Sequence, residues 1–496
     1  MTTIDEAVSG LAWSAAIVFA GTLVGRILGL LGQVVIIRSL SPSAFGTIAL
    51  VYTGLLTISR IGLLGVPNGV TRLFSAKSTL EDRYEILKSG YLIILASGGI
   101  LTGIVYLSRN TLAAVMGESE ITGLIVAFIP LIILSQISAV SISALRAQQK
   151  SLQMSLSKDI IPRSAAILVF LIFAYLNHPF DGAIAYWLVI PLITTILAAL
   201  FLVRNLSNNA WQRGFPQIEI FRELWLFSWP LAVATSLVLI MANLDVLMIG
   251  YFLNSVDVGF YRAVQPLRQV TQFILQSFVF LFLPLATEFY NKDEFEELRT
   301  LYNAASKWTA VLTLPFVLVF SLFSGSVIQV FFTVEYLPAA PALSALTAGL
   351  FFNAFVGPNG AMIQAIDRSK LEMYAAIIGV AINIALNIIF IPKFGIIGAA
   401  FATIIGYMTF NSIEVVGIYF ISGAHPFSWN TIKPLAVTTT AGVIIRMFGE
   451  VYSTDLVGLI SIGILLVIIQ AGSLIVTRSI DETDRYLFEK VKHRLG

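Results

Sequence analysis

Stretches of mostly apolar residues, each about as long as a bilayer core demands of a helix, recur along the whole chain and are broken only by short polar segments. Fourteen such stretches are found, at 11–37, 44–71, 89–108, 121–145, 160–177, 182–203, 224–252, 258–287, 308–332, 339–366, 372–391, 394–421, 433–449 and 456–477. Within them apolar residues do not alternate with polar ones, so the pattern predicts helices rather than the strands of a barrel. Two pairs, 160–177 with 182–203 and 372–391 with 394–421, are close enough in sequence to be tight hairpins, with Asn177–Asp181 and Pro392–Lys393 at their turns.

The positions of Lys and Arg give these spans a direction. With the N-terminus on the cytoplasmic side, 22 of the basic residues fall in inside loops and the C-terminal tail. Only Arg38, Arg109, Lys393 and Arg446 fall outside. That asymmetry places both termini in the cytoplasm. Trp13, Trp225, Trp229, Trp308 and Trp429 sit near the cytoplasmic ends of spans, where an amphipathic ring is favoured. Composition agrees: 12% of residues are charged and 57% apolar, against about 25% charged in a soluble domain, and mean hydropathy is +0.88. A net charge of +2 gives no case for nucleic acid as a partner.

Short matches suggest an internal repeat. Ala44-Phe45-Gly46-Thr47 parallels Asp257-Val258-Gly259-Phe260, Lys150-Ser151-Leu152 parallels Ser369-Lys370-Leu371, and Gly182-Ala183 parallels Gly398-Ala399. Their near-constant offset predicts two six-helix lobes in the same orientation, related by a parallel repeat. The expected organisation is an all-α integral membrane protein of about fourteen transmembrane helices. It has an N-terminal lobe at 1–205, a cytoplasmic linker at 206–221, a C-terminal lobe at 222–422, an appended helix pair within 423–477 and a cytoplasmic tail at 478–496. A substrate site is expected between the lobes.

Several chemistries are absent. The chain has no cysteine, no Gly-Lys dipeptide for a phosphate loop, no His-Glu-x-x-His and three histidines in all, so no metal site, cofactor or built-in ATPase is expected. The loops are too short for an aqueous catalytic domain, and an enzyme is not expected.

What remains is a set of polar residues inside the spans. Arg26, Arg60, Arg262 and Arg268 lie within apolar stretches, where each costs about 2.5–3.5 kcal/mol unless it faces protein or water. In the eighth span, Arg262, Gln265, Gln269, Gln272 and Gln276 fill a stripe roughly 80° wide at about 100° per residue, with Arg268 about 40° off its edge. Such a face suits a wet cavity; the alternative is hydrogen bonding between helices. Gln33 shares a face with Arg26, and Asn353 marks the tenth span. Gly21, Gly25, Gly29 and Gly32 make the first helix thin, for close packing or for bending. Asp245 and Glu414 are intramembrane acids, candidates for ion coupling or for pairing with an arginine.

Guanidinium groups hold phosphate oxygens bidentately, and Gln or Asn can hydrogen-bond sugar hydroxyls. A lipid-linked sugar presents both groups. The stretch Arg38-Ser-Leu-Ser-Pro42-Ser-Ala-Phe45-Gly46 resembles the signature that follows the first span of the polysaccharide-biosynthesis flippase family. Asn387-Ile-Ile-Phe-Ile-Pro392-Lys-Phe-Gly395-Ile-Ile-Gly398-Ala-Ala-Phe-Ala402-Thr403 resembles that family's hairpin of spans eleven and twelve, and Asp245, Gly250, Gly259 and Tyr261 fit its seventh-to-eighth span pattern. The resemblance implies alternating access by a flippase in the plasma membrane. Such a flippase carries a polyprenyl-(pyro)phosphate-linked oligosaccharide outward, with membrane lipid and other glycan-assembly proteins as candidate partners. It implies phosphate-binding roles for Arg26, Arg60 and either Arg262 or Arg268. The alternatives are a cation-coupled multidrug exporter of the same superfamily, which would depend on Asp245 and Glu414, a glycan polymerase or ligase, and a non-transporting scaffold.

Overall fold

A computed structural model describes residues 2–77, 79–116, 121–205, 216–448, 455–480 and 484. Most of the expected linker and tail, and the side chain of Trp13, lie outside them. Nearly all the described residues are helical, and none of them lies in a strand. Nine helices among them are long and apolar enough to cross a membrane, and a bent pair over 272–291 would make ten. The chain forms two compact units, Met1–Gly259 and Phe260–Gly496.

The first unit holds α1 (Thr2–Ser39), α2 (Pro42–Ile61), α3 (Val66–Ala76), α4 (Leu80–Leu107), α5 (Arg109–Val115), α6 (Ile121–Phe128), α7 (Pro130–Ala147), α8 (Ser151–Ser155), a π-helical turn (Leu156–Ile160), α9 (Ile161–Tyr175), α10 (Pro179–Asn205) and α11 (Ile218–Phe252). The helix α12 (Ser255–Asn291) starts in this unit and continues into the second. The expected second span is interrupted: α2 stops at Ile61, and Gly65 at φ +72° turns the chain into α3. Only glycine fits there, because a Cβ on Gly65 would lie 2.2 Å from the Ser228 carbonyl of α11. The core of this unit gathers Val66, Val70, Tyr84, Leu87, Ile94, Val140, Leu145, Leu202 and Leu224, so α11 belongs to its packing. The first turns of α2 and α12, matched in the sequence repeat, lie against each other. A Cβ on Gly46 would meet the Ser255 carbonyl, one on Gly259 would meet the Pro42 carbonyl at 2.0 Å, and Ser43 Oγ is 3.4 Å from Ser255 Oγ.

The second unit continues through α13 (Phe295–Leu322), α14 (Ser324–Phe331), a 3-10 turn (Val334–Ala339), α15 (Ala340–Val356), α16 (Asn359–Ala365), α17 (Ser369–Ser422), α18 (Trp429–Phe448) and α19 (Leu456–Val476). The 54-residue α17 is two helices joined at Gly395, whose φ of +60° and ψ of −141° are not helical. The arms fold back on each other: Gly379 meets Gly406, and a Cβ on Gly398 would lie 2.2 Å from the Phe390 carbonyl. This is the hairpin expected at 372–391 and 394–421. Phe282, Phe289, Leu298, Tyr302, Met362, Ile366 and Ile418 form this unit's core.

The outer surfaces suit hydrocarbon. Ile100, Ile104 and Leu107 on α4, Leu168, Leu171, Ile172 and Tyr175 on α9, and Ile460, Ile464, Val467, Ile468 and Ile475 on α19 are all exposed. They recur three, four or seven residues apart, so each helix presents an apolar row to its surroundings.

Candidate functional site

In the first unit, Arg26 does not stand alone. The glycine stripe on α1 runs along α8, the π-helical turn, α9 and α10. A Cβ on Gly21 would lie 2.5 Å from Ser155 Cβ, one on Gly25 would lie 2.7 Å from Asp159 Cβ, and one on Gly32 would lie 2.4 Å from the Tyr186 hydroxyl. The stripe is a packing surface that brings the α1 backbone onto charged residues. Arg163 Nη2 lies 3.7 Å from Asp159 Oδ1, and Asp159 is 4% exposed. Arg26 interacts electrostatically with both Arg163 and Asp159, while Lys158 interacts with Asp159, Arg146, Arg163 and Arg60. Three cations, Lys158, Arg163 and Arg26, therefore act on one carboxylate, and Arg146 and Arg60 act on Lys158 beside it.

The π-helical turn has a local cause. Pro162 has no N–H to continue the α-helical ladder, and just before it the Ile161 N–H bonds the Leu156 carbonyl, five residues back. The extra residue in that turn shifts the angular register of Lys158 and Asp159 relative to Arg163. Arg60 and Lys158 are exposed, Arg26 and Arg163 half-buried. The end of α2 at Ile61 puts Arg60 in a last helical turn, where the helix dipole favours a cation. That placement offsets about 0.3–1 kcal/mol of the cost of the arginine. Gln33 is half-buried, two turns along α1 from Arg26. Lys158, Arg163 and Arg146 count as cytoplasmic-loop residues by charge asymmetry alone. The signal that could have singled them out is the Asp159–Arg163 pair, four residues apart beside Pro162.

The remaining expected residues, Asp245 apart, lie in the second unit. On α12, Gln265 and Arg268 are buried at 4% and 8% exposure, Arg262 and Gln272 are half-buried, and Gln269 and Gln276 are exposed. The polar stripe thus runs from protein interior to surface along its length. Asn353 on α15 belongs to a buried network. Asn411 Nδ2 donates to Asn353 Oδ1, and Asn359 Nδ2 donates to Asn411 Oδ1 at 2.8 Å and to Glu414 Oε2 at 2.7 Å. Glu414 has no exposed surface. Asp245 belongs to the first unit; it is 3% exposed and accepts from the Val246 N–H. Among the described residues no group of three or more His, Cys, Asp or Glu could hold a metal ion.

Comparison with known proteins gives the chain relatives in sequence and in fold. The profile of a family described as polysaccharide biosynthesis protein matches residues 11–290, and that of MatE matches 230–389. A membrane protein of Methanocaldococcus jannaschii is 25% identical over 261 residues, 52% of each chain. A probable low-salt glycan biosynthesis flippase of Haloferax volcanii is 26% identical over 33% of this chain and 35% of its own. The matched stretches thus span about half and about a third of these relatives. A putative O-antigen transporter of Shigella flexneri is 21% identical over 73% of this chain and 87% of its own. Among solved structures, a lipid II flippase in an inward closed conformation is similar in fold, with a TM-score of 0.74 at 20% identity over 92% of this chain and 98% of that one.

Proposed function

The chain belongs to the polysaccharide biosynthesis protein family, and from that premise we propose that it is a flippase for a polyprenyl-(pyro)phosphate-linked oligosaccharide. It is a multi-pass membrane transporter rather than an enzyme. The observation that carries the reading is the cation cluster of Arg26, Lys158 and Arg163 on Asp159, with Arg60 and Arg146 acting on Lys158. Guanidinium forks bind phosphate oxygens in pairs, and the low dielectric of a membrane interior strengthens each contact. The polyprenyl tail stays in hydrocarbon while the phosphate and sugar cross beside the arginines. Gln33 adds a hydroxyl contact in this unit, and the second unit carries its own polar candidates, Arg262, Gln265, Arg268, Gln269, Gln272 and Asn353.

The finer architecture in this reading is fourteen spans, in two six-helix lobes and a final pair, with both termini in the cytoplasm of a plasma membrane. Charge asymmetry supports that orientation. Transport proceeds by alternating access, and the substrate shifts that equilibrium by its differential affinity for the two states. Moving two negative charges outward, down an inside-negative potential of 100 mV, releases about 5 kcal/mol.

The test follows lipid-linked oligosaccharide in the native cell by leaflet-specific labelling. Loss of the protein, or the triple variant Arg26→Ala, Arg60→Ala, Arg163→Ala, is expected to leave the oligosaccharide on the cytoplasmic leaflet. Undiminished transport by a stably inserted triple variant would sink the phosphate cradle. The MatE match over 230–389 favours one second reading, a multidrug exporter. That reading predicts unchanged glycan and new sensitivity to cationic drugs on deletion.

A further inference from the structure

Glu414 sits on the second arm of α17, where the flippase reading has no use for an acid. Its relative exposure is 0%, and Oε2 accepts from Asn359 Nδ2 at 2.7 Å. Among the described residues Oε1 has no hydrogen-bond partner. Every element packed around the carboxyl can be named by what it offers. From α13 comes Tyr302, whose hydroxyl is committed to the Val356 carbonyl at 3.0 Å. From α16 comes Asn359, which donates to both Glu414 and Asn411. From α15 comes Asn353, which accepts from Asn411. From the first turn of α17 comes Glu372, hydrogen-bonded to Gln364. The charged group acting on Glu414 among the described residues is thus a second carboxyl, Glu372, and no lysine or arginine.

A bare carboxylate in this position would have one oxygen stripped of water without a donor in exchange, and a like charge nearby. Buried charges are retained when paired or fully hydrogen-bonded, and this one would be neither. A metal ion is an unsuitable remedy. The amide nitrogen of Asn359 stands between the Asn411 and Glu414 oxygens, the place a cation bridging those oxygens would need. Protonation on Oε1 removes the charge and keeps Oε2 as the acceptor for Asn359.

We propose that Glu414 is a proton-binding site: it carries a proton on Oε1 in this conformation and releases it when the helices around it admit water. Glu372 is half-buried and is the charged group that acts on Glu414, which makes it the titratable neighbour for proton exchange. The site does not depend on the identity of the transported molecule and stands or falls separately from the flippase reading.

The test is infrared difference spectroscopy of the full-length protein in phosphatidylcholine vesicles, in the carboxylic C=O stretching region, at neutral and at alkaline pH. The wild type is expected to show a protonated-carboxyl band at neutral pH that shifts in deuterium oxide and disappears at alkaline pH. Glu414→Gln keeps the acceptor for Asn359 and is expected to lack the band while retaining the wild-type melting temperature. Glu372→Gln is expected to keep the band and to slow its response to a pH jump. A wild-type spectrum without the band, or a band that survives Glu414→Gln, overturns the assignment. Loss of the band at neutral pH on replacing choline by sodium also overturns it, because the ligand would then be a metal cation. Should Glu414→Gln melt early, Glu414→Asp decides: a shifted protonated band supports the site, and an unchanged one refutes it.

Discussion

Two glycines one helical turn apart on α1 make a controlled test of how the cation cluster is assembled. A Cβ at Gly25 would sit 2.7 Å from Asp159 Cβ, 2.9 Å from Arg163 Nη1 and 3.1 Å from the Asp159 carbonyl oxygen. Carbon atoms prefer separations of about 3.5–4.0 Å, so α1 must retreat by roughly an ångström from the π-helical turn. At Gly29 the nearest atom is Arg163 Nη1, at 3.6 Å, an ordinary contact. Gly25→Ala and Gly29→Ala gain the same helix propensity, up to about 1 kcal/mol. The difference between them isolates the clash. Overpacking costs about 1–3 kcal/mol. Gly25→Ala is therefore expected to be less stable than Gly29→Ala by that amount, and to bind a pyrophosphate-bearing lipid about 5- to 150-fold more weakly if the whole cost falls on the binding-competent arrangement. Thermal melting of both purified variants in one detergent, with binding of a fluorescent polyprenyl pyrophosphate, measures both. Equal melting and equal binding would refute the idea that the α1 backbone must touch Asp159 and Arg163 to build the cluster.

Further expectations follow from other contacts. Asp159→Asn removes the carboxylate that Lys158, Arg163 and Arg26 share; binding of the same lipid should tighten at low salt, and its salt dependence should steepen as screening acts on more unpaired charge. Lys307 and Asp484 are an ion pair 2% and 1% exposed, with Trp308 Nε1 also donating to Asp484. Lys307→Met alone should cost about 3–5 kcal/mol by leaving a buried charge unpaired, and adding Asp484→Leu should recover much of it, which denaturant or thermal unfolding can read. At the crossing of α2 and α12, Gly46→Ala and Gly259→Ala both drive a Cβ into backbone carbonyls. Each should cost at least about 1–3 kcal/mol and lower transport in cells, whereas Gly103→Ala, with open space around it, should not. Because the chain has no cysteine, single cysteines report topology directly. Asn177→Cys should react with an impermeant maleimide from outside the cell, and Lys370→Cys only after lysis.

What the sequence determined by itself was the solvent and the grammar of the fold. Long uninterrupted apolar runs can satisfy their backbone groups in hydrocarbon only as helices, so helices had to fall where the runs fall, and the hairpin could be read from the spacing of two runs, with its turn expected at Pro392–Lys393 and found at Gly395. Arg26 and Arg60 were legible as functional candidates because an arginine in an apolar run is costly and needs a reason. Tertiary packing decided the rest. The break of α2 before Gly65 depends on a carbonyl of α11 far along the chain, and it changes Arg60 from an unexplained charge into a helix-end residue. Lys158, Asp159 and Arg163 read as loop charges until a π-helical turn and the glycine stripe of α1 brought them to Arg26. Glu414 could be recognised as buried from its surrounding residues, but not its partners. Whether it met an arginine or Asn359 depends on contacts from α13, α15 and α16, and periodicity along one helix carries no information about which other helix its polar face will meet.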